Sequence, residues 1–350
     1  MTVAQLPDKQ IADAVSGPSA NGNGRTAPEA ASAEAGKPLT TRALGVVAKA
    51  GGDLVVYYAL RAVWGLLHRM SPERTRNVLE SIGGFIGRVD RHHRRVVGDN
   101  LLVAFPHWNE RQREDVIDLS FRNWGRLAAE AIHAKTMIEA AAQERWDEAA
   151  AIAASTAASG RGLLVLTAHT GNFEILARTW GARIGPLAVF HRNLGNPYAD
   201  AFLRKQRQMV RMTMVGRGAS VREALRLLAN GTSIAVALDQ NQRPGRGVFV
   251  QMFGKPACTS TMLARLSIAT GTAVLPVFAV WDGKDTVPLV GEPIAPPSQP
   301  LKGDARTQAV LELTQLYTTE TESAVRSYPE QWNWAHRRWK TRPQSEAQSS

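Results

Sequence analysis

The middle of the chain alternates short apolar runs with amphipathic stretches. Four runs of apolar residues fit buried strands: 163–168, 186–190, 233–238 and 273–280. Between and beside them, apolar positions recur at three- and four-residue spacing over about 173–184, 197–212, 221–229 and 260–269, which indicates helices. This alternation predicts an α/β fold whose central sheet is largely parallel or mixed and is covered by helices.

The N-terminal half shows helical spacing without strand-like runs. Residues 72–150 predict a helical region that packs on the α/β core expected over 160–343, so that 72–343 form one domain. A further helix is expected from about 306 to 328. The polar residues 344–350 predict a short tail.

Two segments precede this domain. Residues 1–40 are rich in Ala, Ser, Gly, Pro and Asn and predict a disordered tail. Residues 41–71 are apolar but carry Lys49, Asp53 and Arg61, which argues against a clean transmembrane helix. The segment fits either a membrane-associated amphipathic helix or a buried helix of the domain, and the sequence leaves both open.

Composition narrows the classes of partner. Lys and Arg number 42 against 31 Asp and Glu, which gives a formal charge of +11 and favours phosphates, nucleic acid or an anionic membrane surface. Because the sequence has no zinc-finger spacing and no RNP-like aromatic pattern, we expect no nucleic-acid partner and keep that class as a remote alternative. The single cysteine, Cys258, excludes an intrachain disulfide.

Polar side chains follow three of the predicted strands. His169 follows the first strand, residues 191–193 follow the second, and residues 239–241 follow the run at 233–238. In open α/β sheets, ligands bind beyond the carboxyl ends of the strands. We therefore expect the functional site at this edge of the sheet.

His169 and Glu174 are the candidate catalytic pair. On an ideal helix they would lie about 140° apart, so a turn over residues 170–172, with Asn172 as helix N-cap, is needed to bring Glu174 back to the imidazole. A carboxylate on one ring nitrogen leaves the other nitrogen free to act as a base for an alcohol. Alternatively, the backbone satisfies the histidine and Glu174 complements the helix dipole.

Five sequence blocks in one order resemble the bacterial lipid A biosynthesis acyltransferases, within the glycerolipid acyltransferase superfamily. They are NLLVAFP, HTGNFE, FHRNLGNP, the stretch GRGVFVQMFGKPACTSTMLARLSIATGTAVLPVF, and YPEQWNWAHRRWK. The resemblance extends from about residue 54 to residue 343. It implies transfer of a fatty acyl chain from an acyl carrier protein thioester, or from acyl-coenzyme A, to a hydroxyl of a lipid A precursor.

The resemblance also assigns residues and a location. It implies His169 and Glu174 as catalytic residues of an HxxxxE motif, with no metal or cofactor, and an enzyme attached peripherally or monotopically to the cytoplasmic face of the inner membrane. The candidate substrate-binding residues are Arg192, Asn193, Asp239, Gly247, Phe249, Phe253 and Gly254, with Asp239 suggested as a second acidic partner of the histidine. Another glycolipid, such as a phosphatidylinositol mannoside, is the alternative acceptor.

Overall fold

A computed structural model describes residues 39–157, 160–191, 195–208, 210–216 and 221–343. Its strands are β1 (Leu164–Thr167), β2 (Leu187–His191), β3 (Met212–Gly216), β4 (Ser233–Ala237), β5 (Val248–Met252), β6 (Lys255–Thr259), β7 (Val274–Trp281) and β8 (Thr286–Val290). The expected tail at 344–350 and all but the last two residues of the one at 1–40 lie outside the described residues.

Six strands form the central sheet, in the order β3-β2-β4-β1-β7-β8. Neighbouring strands are parallel except for β7 and β8, which run antiparallel. The predicted α/β class with a mixed sheet is therefore confirmed. β1 and β4 are adjacent and in register, with Thr167 opposite Ala237. Residues 169 and 239, each two positions further on, consequently leave the sheet side by side.

Helices cover both faces of the sheet, and all the secondary-structure elements between residues 39 and 157 are helices. They are α1 (Leu39–His68), α2 (Pro72–Val89), α3 (Arg91–Ala104), α4 (Glu110–Ile132), α5 (Ala134–Ala140), α6 (Gln143–Thr156), α7 (Phe173–Arg183), α8 (Pro197–Gln208), α9 (Val221–Ala229), α10 (Met262–Thr270) and α11 (Gly303–Ser327). A 3₁₀ turn at Pro329–Gln331 follows α11.

Three apolar clusters form the core. One packs β1 and β4 against α10 and α11, and a second packs the opposite face of β1 and β7 against α6 and α7. The third joins α3 and α4 to the β5–β6 hairpin and to Trp332 and Trp334 near the C-terminus. The C-terminal segment around Trp332 and Trp334 is thus part of the interior.

The structure differs from the sequence prediction in three elements. The helix expected over 197–212 ends at Gln208, and Met212 begins strand β3 instead. This edge strand alternates buried and exposed residues. Its sequence therefore lacks the continuous apolar run by which the other strands were predicted. The β5–β6 hairpin and β8 were also not expected. Met252 of the hairpin is buried in the third cluster, and Val250 is buried as well, which explains their apolar character.

Candidate active site

His169 and Asp239 form a hydrogen-bonded pair at the carboxyl end of the sheet. The imidazole Nδ1 lies 2.8 Å from Oδ1 of Asp239, and the backbone N–H of His169 donates to Oδ2 over 2.8 Å. The Asp239 side chain is only 3% exposed, whereas that of His169 is 23% exposed. The ring is therefore fixed on its buried side and accessible on the other.

A third hydrogen bond completes the environment of Asp239. The indole N–H of Trp332 donates to Oδ2 over 2.8 Å. Burial raises the pKa of Asp239, but the charge and hydrogen bonds of His169, with the bond from Trp332, lower it by more, so its pKa lies well below the usual range. The carboxylate therefore stays ionised.

The pair leaves Nε2 of His169 as the ring nitrogen that can accept a proton. Because Nδ1 donates its proton to Asp239, Nε2 carries the lone pair. Burial lowers the pKa of His169, but the charge of Asp239 and its hydrogen bond raise it by more, so the net pKa lies above the ordinary value. The side-chain amide nitrogen of Gln240 lies 3.3 Å from Nε2, and Phe173 packs edge-on against the ring at 4.9 Å between centroids.

Glu174 does not supply the carboxylate for His169, which corrects the predicted contact. Its Oε1 accepts from Arg178 at 3.0 and 3.1 Å, and its two oxygens accept from Arg207 at 2.8 and 2.9 Å. Burial raises the pKa of Glu174, but both arginines lower it by more, so the net pKa lies below the usual value. These bonds turn Glu174 away from the imidazole and link α7 to α8.

The turn between His169 and α7 forms as the sequence predicts. Asn172 is the N-cap, and its Oδ1 accepts from the N–H of Ile175 over 3.1 Å. Gly171 has a φ of +43°, and a Cβ at this position would collide with the carbonyl oxygen of Ala279. Glycine is therefore required here both by conformation and by space.

The segment after α11 holds this turn from the other side. Gly171 donates its N–H to the carbonyl of Gln331 over 2.9 Å, and Asn333 donates to the carbonyl of His169 over 3.0 Å. The N–H of Asn241 donates to Nε2 of His336 over 2.8 Å. The tryptophan-rich block of the sequence thus positions both members of the His169–Asp239 pair.

The other predicted binding residues lie in two places. Arg192 and Asn193 fall outside the described residues. Gly247, Phe249, Phe253 and Gly254 belong to the hairpin β5–β6 or its immediate borders, and Phe253 is buried between Phe105, Trp334 and Trp339. Within the described part of the chain, no hydrogen bond or ring contact joins these four residues to His169. Phe249 is 37% exposed.

Trp332 belongs to the candidate site, although its residue pattern alone did not single it out. It is 1% exposed and contacts the His169–Asp239 pair through one indole hydrogen bond. The density of tryptophan in the WNWAHRRW block was the available signal, but its partner follows β4, 93 residues away. No group of three or more His, Cys, Asp or Glu side chains placed to bind a metal ion occurs among the described residues.

Comparison with known proteins confirms the family resemblance. The family model described as bacterial lipid A biosynthesis acyltransferase matches residues 53–341. A lipid A biosynthesis myristoyltransferase of Escherichia coli (strain K12) is 25% identical over 285 residues, which cover 80% of this chain and 85% of that protein. The lauroyltransferase of the same organism is 27% identical over 269 residues, covering 75% and 84%.

A lipid A biosynthesis acyltransferase of Haemophilus influenzae is 25% identical over 296 residues, which cover 80% of this chain and 86% of that protein. The stretch matched by the family model includes His169, Asp239 and the C-terminal block that contacts them. The chain therefore belongs to the bacterial lipid A biosynthesis acyltransferase family and is an O-acyltransferase.

Proposed function

We propose that this enzyme transfers a fatty acyl chain from an acyl carrier protein thioester to a hydroxyl of a lipid A precursor, with His169 as general base. The observation that carries the proposal is the His169–Asp239 pair: a buried carboxylate holds Nδ1 over 2.8 Å, and the His169 side chain remains 23% exposed. Family membership supports the acceptor class.

The reaction needs one base and a site for negative charge. Nε2 of His169 removes the proton of the acceptor hydroxyl as its oxygen attacks the thioester carbonyl. The tetrahedral intermediate then expels the thiolate, which takes the proton back from the imidazolium, so that an ester and a free thiol result. The hydroxyl must displace the amide of Gln240, which lies 3.3 Å from Nε2.

The start of α7 is the proposed site for the developing oxyanion. The helix begins at Phe173, four residues after His169, and helix N-termini present backbone N–H groups and a partial positive charge. The side chain of Asn172 satisfies the N–H of Ile175. We assign the oxyanion to the backbone N–H groups of Phe173 and Glu174, which precede Ile175 in the first turn.

In this proposal Glu174 is a positioning residue. Its carboxylate links Arg178 on its own helix to Arg207 on α8, and so fixes the start of α7 beside His169. Arg192 and Asn193, which follow β2, remain proposed contacts for the substrate phosphates. The ring contacts of Phe253 with Trp334 and Trp339 support a role in holding the tryptophan-rich segment, whereas Phe249 is exposed enough to touch an acyl chain. Gly247 and Gly254 remain proposed substrate-binding residues.

We also propose that residues 41–71 attach the enzyme peripherally to the cytoplasmic face of the inner membrane. Helix α1 packs on α8 through Trp64 and Phe202, whose ring centroids are 5.2 Å apart. Its opposite side exposes apolar residues: Val55, Val56, Tyr58, Val63 and Leu66. Among the helices that the structure describes, none is long and apolar enough to cross a membrane.

Acyl transfer by the purified full chain tests the proposal. The reaction would contain myristoyl- or lauroyl-acyl carrier protein and a detergent-solubilised lipid A precursor, with the ester product measured by mass spectrometry. We expect transfer by the wild type and loss of about 1,000-fold or more in His169→Ala, with His92→Ala, an exposed histidine of α3, as the control.

Two outcomes would contradict the proposal. Undiminished transfer by His169→Ala would exclude the base. Transfer to a phosphatidylinositol mannoside but not to the lipid A precursor would replace the acceptor while retaining the chemistry. Acyl-coenzyme A in place of the acyl carrier protein, tested in parallel, determines the donor.

A further inference from the structure

Helix α2 buries its three glycines and exposes five of its six large apolar residues. Val78, Ile82, Phe85, Ile86 and Val89 are 40 to 62% exposed. At about 100° per residue, these five positions share an arc of about 100° on the helix surface. A surface helix of a globular domain normally turns such a stripe toward the core.

The contact between α2 and α4 explains how the helix packs without these side chains. Gly83 and Gly87 of α2 are buried, and a Cβ on either would collide with Phe121 of α4. Gly125 of α4 lies equally close to the backbone of Leu79. The two helices therefore dock backbone to backbone, and this geometry requires the glycine side of α2 to face inward.

Exposed arginines lie close in sequence to the stripe. Residues 72–95 contain six arginines against three carboxylates, a net charge of +3. Arg94 pairs with Glu114 and Asp118, and Asp90 with His93. Four other arginines are exposed and form no salt bridge within the described residues: Arg74, Arg88, Arg91 and Arg95. Arg74 lies in the first turn of α2, and the other three lie around the junction of α2 and α3.

We propose that this α2 face, the five apolar residues together with Arg88, Arg91 and Arg95, docks on an anionic lipid bilayer as a second contact beyond residues 41–71. A bilayer offers acyl chains to the stripe and negative headgroups to the arginines at the same time. A second copy of this face would bring like charges together. The stripe is also close in sequence to exposed Val63 and Leu66 at the end of α1.

Vesicle binding by the full chain tests the α2 face without requiring acyl transfer, so its failure is distinct from failure of the proposed function. The probes are phosphatidylcholine vesicles with and without phosphatidylglycerol. We expect Ile82→Ser/Phe85→Ser to weaken binding to the anionic vesicles about tenfold or more. The matched control is Leu311→Ser/Leu316→Ser, which removes exposed leucines of α11.

Substitution of the arginines tests the electrostatic part of the proposal separately. Arg88→Gln/Arg91→Gln/Arg95→Gln should weaken binding to anionic vesicles and leave binding to phosphatidylcholine unchanged. Because all the substituted residues are exposed, the thermal midpoint of each variant should stay close to that of the wild type.

Three results would overturn the proposal. The first is that the apolar double variant and the arginine triple variant bind anionic vesicles as tightly as the wild type. Alternatively, the wild type could be a dimer in analytical ultracentrifugation that Ile82→Ser/Phe85→Ser dissociates, with vesicle binding unchanged, which would make the face an interface between copies. The third is that the variants lose binding to acyl carrier protein while vesicle binding is unchanged, which would make the α2 face a docking site for the acyl donor.

Discussion

Two carboxylates near His169 have different partners. Asp239 is fully engaged with the imidazole, the His169 backbone and Trp332, whereas Glu174 is engaged with two arginines. Local spacing drew attention to Glu174, because it is close to His169 in the sequence. The observed partner is Asp239, which the sequence suggests only as a second acidic partner because it follows a predicted strand. Its place beside His169 depends on the order of strands in the sheet, which local spacing does not encode.

The raised pKa of His169 predicts the pH dependence of catalysis. The base must be neutral, so kcat/KM should rise with pH through a pKa above the ordinary value of about 6.5. In Asp239→Asn the raising charge is lost and burial alone remains, so the apparent pKa should fall below that value. Equal apparent pKa values in the two proteins, measured with saturating donor, would contradict the assigned pair.

Glu174→Gln should act mainly on stability. It removes the counter-charge of Arg178, which is 5% exposed, and of Arg207, so we expect a loss of about 1–3 kcal/mol in the free energy of unfolding at pH 7. The wild-type carboxylate has a lowered pKa in the folded state, and its contribution is lost as the pH falls through that pKa. The difference between the two proteins, measured by urea unfolding, should therefore narrow as the pH falls below the ordinary glutamate pKa of about 4.3. A difference that does not depend on pH would exclude the ion pairs as its cause.

At the scale of elements, the catalytic turn depends on one glycine and one cap. The sequence predicted both the cap at Asn172 and the helix that follows, because N-cap chemistry is local. The β5–β6 hairpin and β3 were missed because their burial depends on partners distant in the chain, α11 and β2 among them. Short strands of this kind carry little periodic signal of their own.

Gly171→Ala should impair catalysis through geometry. The Cβ would collide with the carbonyl of Ala279, and the φ of +43° is unfavourable for alanine, so the turn must shift. A displacement of His169 by about 1 Å should lower kcat about 100-fold. Gly271→Ala, at a φ of +65° with no atom near its Cβ, is the control for strain alone. Equal effects of the two substitutions on kcat would contradict the role of the turn.

At the scale of the whole molecule, the C-terminal segment connects helix α3 of the N-terminal half to the candidate site. Asn100 of α3 donates from Nδ2 to the carbonyls of Trp334 and His336 over 2.6 and 2.9 Å. The same C-terminal segment contacts the turn at Gly171 and the carboxylate of Asp239. The sequence showed NLLVAFP and YPEQWNWAHRRWK as separate blocks, but only the fold shows that they bond to each other.

Asn100→Ala tests this connection. It leaves two carbonyls without their buried donor, so the free energy of unfolding should fall by about 2 kcal/mol or more, and kcat should fall because the segment that orients Asp239 loosens. Asn77→Ala, at an exposed position of α2, should change neither. If kcat per folded molecule is unchanged in Asn100→Ala, the segment has a structural role only.

The most direct test of the account is the single-turnover rate of acyl transfer in Asp239→Asn, measured beside His169→Ala and the double variant. We predict a loss of about 1,000- to 10,000-fold in Asp239→Asn, because the amide favours the wrong tautomer of the imidazole. The double variant should be little slower than His169→Ala alone, since the two residues act as a unit. A rate for Asp239→Asn within tenfold of the wild type, with transfer abolished in Glu174→Gln, would contradict the account.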